Sequence, residues 1–313
     1  MRPFVCVMLL GGVIASNDVG AQNIVNDSTA AVIAYWEPGD RWAYRVERHM
    51  SGSRSGRATY RMDFQVADAT DSTYVVDLKI SATTVEAEWP AEARQRKVFE
   101  RLLTVMDGLE VRFSTDETGI PLALLNTPAI EEHAQTVLQQ LLEVATSPEE
   151  AEAMRRTLGP VVDADVLAQD ALDDIGNLLF PFGVAYITGR PEKVQGETRN
   201  PLGGDPLRTL QTFTMTALDT VALHASMVMQ QHIDPAAVDA AIDELIDSSG
   251  GKGTTSEARE QVRRTIEGMQ VDENMEFTVD LQGAHTTLLL YSRESTVRGQ
   301  TSTETRRYTL LDR

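Results

Sequence analysis

The fold is decided by a short stretch in which apolar and polar side chains alternate without a break, Tyr60-Arg61-Met62-Asp63-Phe64-Gln65-Val66. In an extended strand, successive side chains point to opposite faces, so the four apolar residues share one face and the three polar residues share the other. The stretch therefore predicts a β-strand with one buried face, which is typical of an antiparallel sheet.

The same alternation continues on both sides of this stretch, over residues 33–126. Two further segments carry it, with the apolar positions Trp42, Tyr44 and Val46 in one and Tyr74, Val76, Leu78 and Ile80 in the other. A further hairpin is predicted over 98–115, turning at Asp107-Gly108. Residues 33–126 are therefore expected to form a strand-rich half.

The periodicity changes to that of helices over residues 127–180. Three helices are predicted, opened by Thr127-Pro128, by the capping box Ser147-Pro148-Glu149-Glu150 and near Asp163, and the last of them ends before Pro181. Their apolar residues recur every three or four positions, so each helix has an apolar stripe that can pack on a sheet.

Strands return in residues 181–313. They are predicted over 207–217, 220–231, 275–281, 286–297 and 303–311, with two helices in the interval 235–268. Residues 33–313 are therefore expected to form a single α+β domain: a large curved antiparallel sheet with amphipathic helices packed on one face.

The first 21 residues have the pattern of a secretory signal peptide. A basic start at Arg2 leads into an apolar run over 4–14 and then the small-residue site Val19-Gly20-Ala21, and the run is too short to span a bilayer. We expect export to the periplasm or beyond, no transmembrane segment, and a flexible tail over 22–32. Cys6 lies inside the apolar run, unlike the acylated cysteine of a lipoprotein.

Composition narrows the range of partners. The net charge is −19, and an acidic surface repels phosphate backbones, so nucleic acid is not an expected partner. Because the only cysteine lies in the predicted signal peptide, the mature chain is expected to lack disulfides and thiolate ligands.

The sequence predicts no catalytic residue, metal ligand or cofactor. The histidines His49, His133, His224, His232 and His285 do not have metal-ligand spacing, and the acidic clusters, such as Asp170 with Asp173 and Asp174, are read as solvated helix faces. Residues 52–56 resemble a nucleophile elbow but have Arg54 at its centre. The loop at 250–255 lacks the upstream glycine of a phosphate-binding loop.

The apolar strand faces suggest a binding role. Nine side chains are expected to converge on one side of the sheet and are the candidate lining of an apolar cavity: Tyr60, Met62, Phe64, Tyr74, Val76, Phe213, Met215, Met227 and Met229. Methionine side chains adapt to ligands of varied shape. The alternative, which we favour for these residues, is that they are the core beneath the helices.

Three short motifs carry a resemblance to a known group of proteins. These are residues 39–44 (Gly-Asp-Arg-Trp-Ala-Tyr), residues 113–119 followed by 124–126 (Leu-Leu-Asn) before a helix, and residues 277–283 before a long strand pair. The chain resembles a family of secreted bacterial proteins, often lipoproteins, of unknown function. More remotely, the expected architecture is similar to the half-barrels of periplasmic lipoprotein carriers, but fold alone does not establish function.

Three functions follow as hypotheses from these observations. The first is a non-catalytic binding or carrier module for an apolar small molecule or lipid. The second is a structural or protein-interaction component of the cell envelope, acting through the acidic surface or a sheet edge. The third is a hydrolase, supported only by the expected export and the many carboxylates.

Overall fold

The computed structural model describes residues 23–52, 55–87, 92–198, 207–233, 270–297 and 300–312. These residues form a large, mostly antiparallel α+β structure that is not closed into a barrel. One sheet has eleven strands and carries helices on one face, and a second sheet has three short strands. The fold class predicted from the alternating pattern is confirmed.

In chain order the strands are β1 (Ile24–Asn26), β2 (Thr29–Val32), β3 (Arg41–Ser51), β4 (Gly56–Ala69), β5 (Thr73–Ala87), β6 (Glu110–Asp116), β7 (Pro121–Leu124), β8 (Val184–Ile187), β9 (Pro191–Thr198), β10 (Leu207–Asp219), β11 (His224–Ile233), β12 (Gln270–Asp280), β13 (His285–Val297) and β14 (Gln300–Asp312). The helices are α1 (Ala93–Leu103), α2 (Thr127–Leu142), α3 (Pro148–Leu158) and α4 (Ala164–Leu179). A short 3₁₀ turn at Gly159–Val161 follows α3.

The large sheet consists of two meanders joined at one pair of strands. Its strand order is β7-β6-β5-β4-β3-β14-β13-β12-β11-β10-β9. The junction is the antiparallel pairing of β3 with β14, in which Tyr308 lies opposite Val46. The two strand-rich halves of the sequence therefore share one continuous hydrogen-bonded sheet, although about 250 residues separate these two strands in the chain.

The alternation along β4 has the predicted structural consequence. Met62, Phe64 and Val66 are at most 3% exposed. Arg61, Asp63 and Gln65 lie on the opposite face and are more accessible. We call the face with the buried residues the inner face and the opposite face the outer face.

Helices α2 and α4 cover the inner face. Ile130 and Ala134 of α2, and Ile175 and Leu178 of α4, belong to the same buried apolar cluster as the inner-face residues of the sheet. Helices α3 and α4 start at their predicted caps: the Ser147 hydroxyl accepts a hydrogen bond from the backbone N–H of Glu150 (3.2 Å), and the Asp163 carboxylate accepts one from Asp165 (2.9 Å). The predicted cap of α2, Thr127, is instead its first helical residue, because Asn126 occupies the N-cap position.

The prediction of a flexible tail over 22–32 is wrong for residues 23–32. These residues form β1 and β2, which join β8 in the three-stranded sheet. Ala30 and Val32 are fully buried in the main core, and the Asn23 side-chain amide donates a hydrogen bond to the Leu281 carbonyl (2.9 Å). Small buried apolar residues and long-range hydrogen bonds hold this segment in place. Its sequence has no clear strand or helix period from which these contacts could be predicted.

The predicted hairpin over 98–115 is also only partly correct. Helix α1 occupies the first part, and only β6 is a strand, although the turn at Gly108 is present with a φ of +85°. Val98 and Leu102, like Phe99 and Leu103, are four positions apart and so lie on one side of a helix. The helical spacing is therefore present in the sequence, within the range predicted to form a strand pair.

The strand predicted over 220–231 begins later than expected. Residues 220–223 are a turn, Val221 is 93% exposed, and β11 starts at His224. The final three strands agree with prediction within a few residues. The predicted signal peptide, the helices in 235–268, the loop at 250–255 and Arg54 lie outside the described residues.

A substitution at Gly183 can test how tightly the loop after α4 is packed. The φ of Gly183 is +79°, and an added Cβ would overlap Cδ1 of Ile120. We expect Gly183→Ala to lower the free energy of unfolding by about 2–4 kcal/mol, since backbone strain and overpacking both act. Urea unfolding measures this change.

Gly189→Ala is the matched control for this substitution. Gly189 has a similar φ of +74° but nothing within 4 Å of the added Cβ. It is therefore expected to lose only the backbone contribution, about 1 kcal/mol. Equal losses in the two variants would contradict the packing at Gly183.

Candidate functional site

The nine residues predicted as a possible cavity lining lie together on the inner face. Seven of them are at most 7% exposed, and Tyr60 and Tyr74 are partly buried against the same cluster. The structure therefore brings the two wings of the sheet, β4–β5 and β10–β11, into one apolar cluster. The side chains pack there as core, so a ligand among them would have to displace other core residues.

A buried carboxylate connects the helical layer to the sheet. Asp174 of α4 is 4% exposed. It accepts hydrogen bonds from the hydroxyl groups of Tyr60 (2.7 Å) and Tyr308 (2.6 Å) and from Nη1 of Arg306 (2.5 Å). We call these four residues the Asp174 cluster.

The cluster belongs to a wider set of paired charges on the inner face. Arg306 also donates from Nε to Glu304 (2.7 Å), and Nε of Arg48 lies 2.7 Å from the same carboxylate oxygen, without the alignment of a hydrogen bond. The Arg306 guanidinium lies 5.5 Å from the centre of the Tyr291 ring, which is a cation–π distance. Each buried charge therefore has an opposite charge beside it.

The environment shifts the pKa values of several of these groups. Burial, together with the negative charge of Asp174, raises the pKa of Tyr60 and Tyr308 well above the usual value. For Glu304, burial raises the pKa, but Arg306 and Arg48 outweigh it and hold the pKa below its usual value. The tyrosines therefore stay protonated as donors, and Glu304 stays ionised as an acceptor.

Polar side chains on the inner face of the neighbouring strands extend this set of paired charges. The Gln211 amide donates to Gln231 (2.5 Å), Gln231 donates to Glu273 (2.7 Å), and Nε of Arg293 lies 3.4 Å from Glu273. These residues lie directly opposite one another in register on β10, β11, β12 and β13. The inner face thus changes along the strands from apolar to hydrogen-bonded polar side chains.

This arrangement is suited to anchoring a helix. The three donors around Asp174 come from two strands, β4 and β14, and they satisfy both carboxylate oxygens. A catalytic carboxylate, by contrast, needs a free oxygen facing a substrate. We therefore interpret the Asp174 cluster as the polar contact that fixes α4 on the sheet.

An open concavity of apolar character lies between α1 and α3. It has a volume of about 600 Å³ and is lined by Val98, Phe99, Leu102, Met154 and Leu158. Neither helix has a fully buried residue. At one end Arg94 forms an ion pair with Glu150 and donates from Nε to the Val144 carbonyl (2.9 Å). We call this concavity the helical groove.

The histidines lie apart from one another and make different kinds of contact. Nε2 of His133 is hydrogen-bonded to the Val105 carbonyl (2.8 Å), His232 pairs with Asp272 (2.6 Å), and His285 lies against Trp36 and Trp42. His224 is exposed. Within the described ranges, no group of three or more His, Cys, Asp or Glu residues is arranged to hold a metal ion.

Comparisons with known proteins give no family assignment: the chain matches no protein-family model and no curated protein. Among the described helices, none combines the length and apolar character needed to cross a bilayer. The resemblance to secreted bacterial proteins therefore remains an expectation from the short motifs.

Two features of this region were missed in the sequence. Asp174 was read with Asp170 and Asp173 as part of a solvated helix face, but it is buried. The sequence does contain a signal of this burial. Asp174 lies three residues after Ala171 and four before Leu178, which are both in the apolar stripe of the helix. The helical groove was missed because α1 itself was read as a strand.

The Asp174 cluster can be tested by removing its charge. Asp174→Asn leaves Arg306 buried without its helix partner, so we expect the free energy of unfolding to fall by about 3 kcal/mol. Denaturant unfolding measures the loss.

Asp173→Asn, at the neighbouring position, is the control. Burial raises the pKa of Asp173, so its charge is disfavoured in the folded state. Neutralising it is therefore expected to cost less than about 0.5 kcal/mol or to stabilise the fold. A loss at Asp173 equal to that at Asp174 would exclude a specific anchor.

Glu304 predicts a pH dependence of stability. Because its folded pKa is lowered, it stabilises the fold above its unfolded pKa, and the contribution is lost as the pH falls through the folded pKa. We expect the stability difference between the native protein and Glu304→Gln to be largest near pH 6 and to shrink toward pH 3. Urea unfolding at several pH values measures it, and a difference independent of pH would contradict the assignment.

Proposed function

We propose that this protein is a non-catalytic binding module for an apolar or lipid-like molecule, and that the helical groove is where the ligand binds. The observation that carries the proposal is an open concavity lined by apolar side chains from two amphipathic helices. Its volume of about 600 Å³ falls within the roughly 300–1,000 Å³ of typical small-molecule sites.

The chemistry of the groove favours an amphipathic ligand. Phe99 and Met154 present an aromatic ring and a flexible thioether, which suit an acyl chain or another apolar body. The ion pair of Arg94 with Glu150 lies at the rim, where a polar head group would remain near water. An apolar interior with a few polar groups at its edge is the usual composition of such sites.

The packing of the helical layer supports the same location. Val98, Leu102 and Leu158 contact a small apolar cluster, made of Val137, Leu141 and Val162, that is separate from the main core. Ligand binding in the groove therefore does not require the main core to open. The expected export of the chain is compatible with a carrier role and is part of the proposal.

The proposal predicts a specific loss of binding in Met154→Glu. A carboxylate in the groove faces an apolar ligand without a partner, so we expect affinity for a fluorescent palmitate analogue to fall at least about tenfold. Fluorescence titration measures the affinity, and mass spectrometry of organic extracts identifies any lipid that co-purifies.

Val221→Glu is the matched control, since Val221 is 93% exposed in a turn and lies outside the groove. Like Met154→Glu, this substitution replaces an apolar side chain with a carboxylate. It is expected to leave the affinity for the palmitate analogue unchanged. Absence of saturable binding by the native protein would overturn the function. Binding that Met154→Glu does not weaken would overturn the location.

A further inference from the structure

The outer face of the large sheet carries a row of polar side chains in direct register. Asn274, Ser292, Thr305, His49 and Arg57 lie opposite one another on β12, β13, β14, β3 and β4. At about 4.8 Å between strands, the row spans about 19 Å. Such a row offers hydrogen-bonding groups at regular intervals along one line.

These side chains line a groove of about 480 Å³ on the outer face, to which Arg307, Glu47 and Glu276 also contribute. We call it the outer groove. Within the described part of the chain, none of the five side chains in the row makes a hydrogen bond or an ion pair with another residue. Their hydrogen-bonding capacity is therefore available to a ligand.

Two arginines in the groove differ from their paired neighbours on this face. Arg57 and Arg307 have no carboxylate partner among the described residues. Other outer-face arginines nearby are paired, for example Arg45 with Glu47 (3.2 Å) and Arg61 with Asp63 (2.7 Å). A guanidinium presents a planar set of donors that matches a carboxylate, so two unpaired ones beside a groove favour an anionic group.

The charges also give the groove a direction. Arg57 and Arg307 lie on β4 and β14, and Glu276 lies on β12 at the other side. Glu47 lies on β3 between the two arginines, opposite Arg307 in register, and its carboxylate forms an ion pair with Arg45 (3.2 Å). The middle of the row is uncharged, with the hydroxyl groups of Thr305 and Ser292. A ligand with carboxylates along its whole length would meet Glu276, so a single acidic group followed by neutral polar groups fits better.

We propose that the outer groove binds an acidic oligosaccharide, whose carboxylate lies on Arg57 and Arg307 and whose neutral hydroxyl groups extend toward β13 and β12. Hydroxyl and amide side chains can exchange donors and acceptors with sugar hydroxyls. This site uses the opposite face of the sheet from the helices and stands independently of the helical groove.

Calorimetric titration with a xylo-oligosaccharide bearing a single methylglucuronic acid tests the proposal. We expect it to bind at least about tenfold more tightly than the neutral xylo-oligosaccharide of the same length, because charge-assisted hydrogen bonds are lost with the carboxylate. Arg57→Gln and Arg307→Gln should each weaken binding at least about tenfold.

Arg41→Gln is the control. Arg41 is an exposed outer-face arginine that lines a different groove, and its loss should change affinity less than about twofold. Thermal unfolding checks that all three variants fold. Because each replaced side chain is exposed, melting temperatures close to that of the native protein are expected.

Several outcomes would overturn the proposal. They are no binding of the acidic sugar at millimolar concentration, equal binding of the neutral sugar, and affinity unaffected by both arginine substitutions. Tighter binding of a poly-glutamate peptide that depends on the same arginines would assign the groove to an acidic peptide instead.

Discussion

The structure depends on covering the apolar face of an eleven-stranded sheet. Alternation along the strands places residues such as Met62, Tyr44 and Phe277 on one face, and leaving that face in water would cost the hydrophobic free energy that drives folding. Helices α2 and α4 and the three-stranded sheet provide the cover. The outer face remains polar and solvated, so the two faces are available for different kinds of chemistry.

Covering the sheet also places a charge in the interior. Asp174 loses its hydration, and a buried carboxylate is tolerated only when partners replace the lost water. Two tyrosines and Arg306 do so, which ties the position of α4 to β4 and β14. Helices α1 and α3 have no fully buried residues, and the groove between them is therefore at the edge of the core.

Much of the fold could be predicted because it follows from local patterns. The strands around Trp42, Phe64 and Val76, and the helices opened at Ser147 and Asp163, are where the sequence predicts them. The predictions were wrong where a short segment is compatible with both the strand period and the helix period, as in α1. They were also wrong where packing orders a segment whose sequence has neither period, as in residues 23–32. Asp174 was misread because its charge outweighed its position on the apolar side of α4.

The sequence by itself determined the α+β class, the buried face of the strands with clear alternation, such as β3, β4 and β5, and the caps of α3 and α4, since these depend on residues within a few positions of one another. Only the tertiary structure decided that β14 pairs with β3 and that Asp174 meets Tyr60 and Tyr308, which lie 114 and 134 residues away in the chain. It also decided the row of polar groups on the outer face. Periodicity specifies which face of a strand is apolar, but strand order and register result from packing between distant segments, which no local pattern encodes.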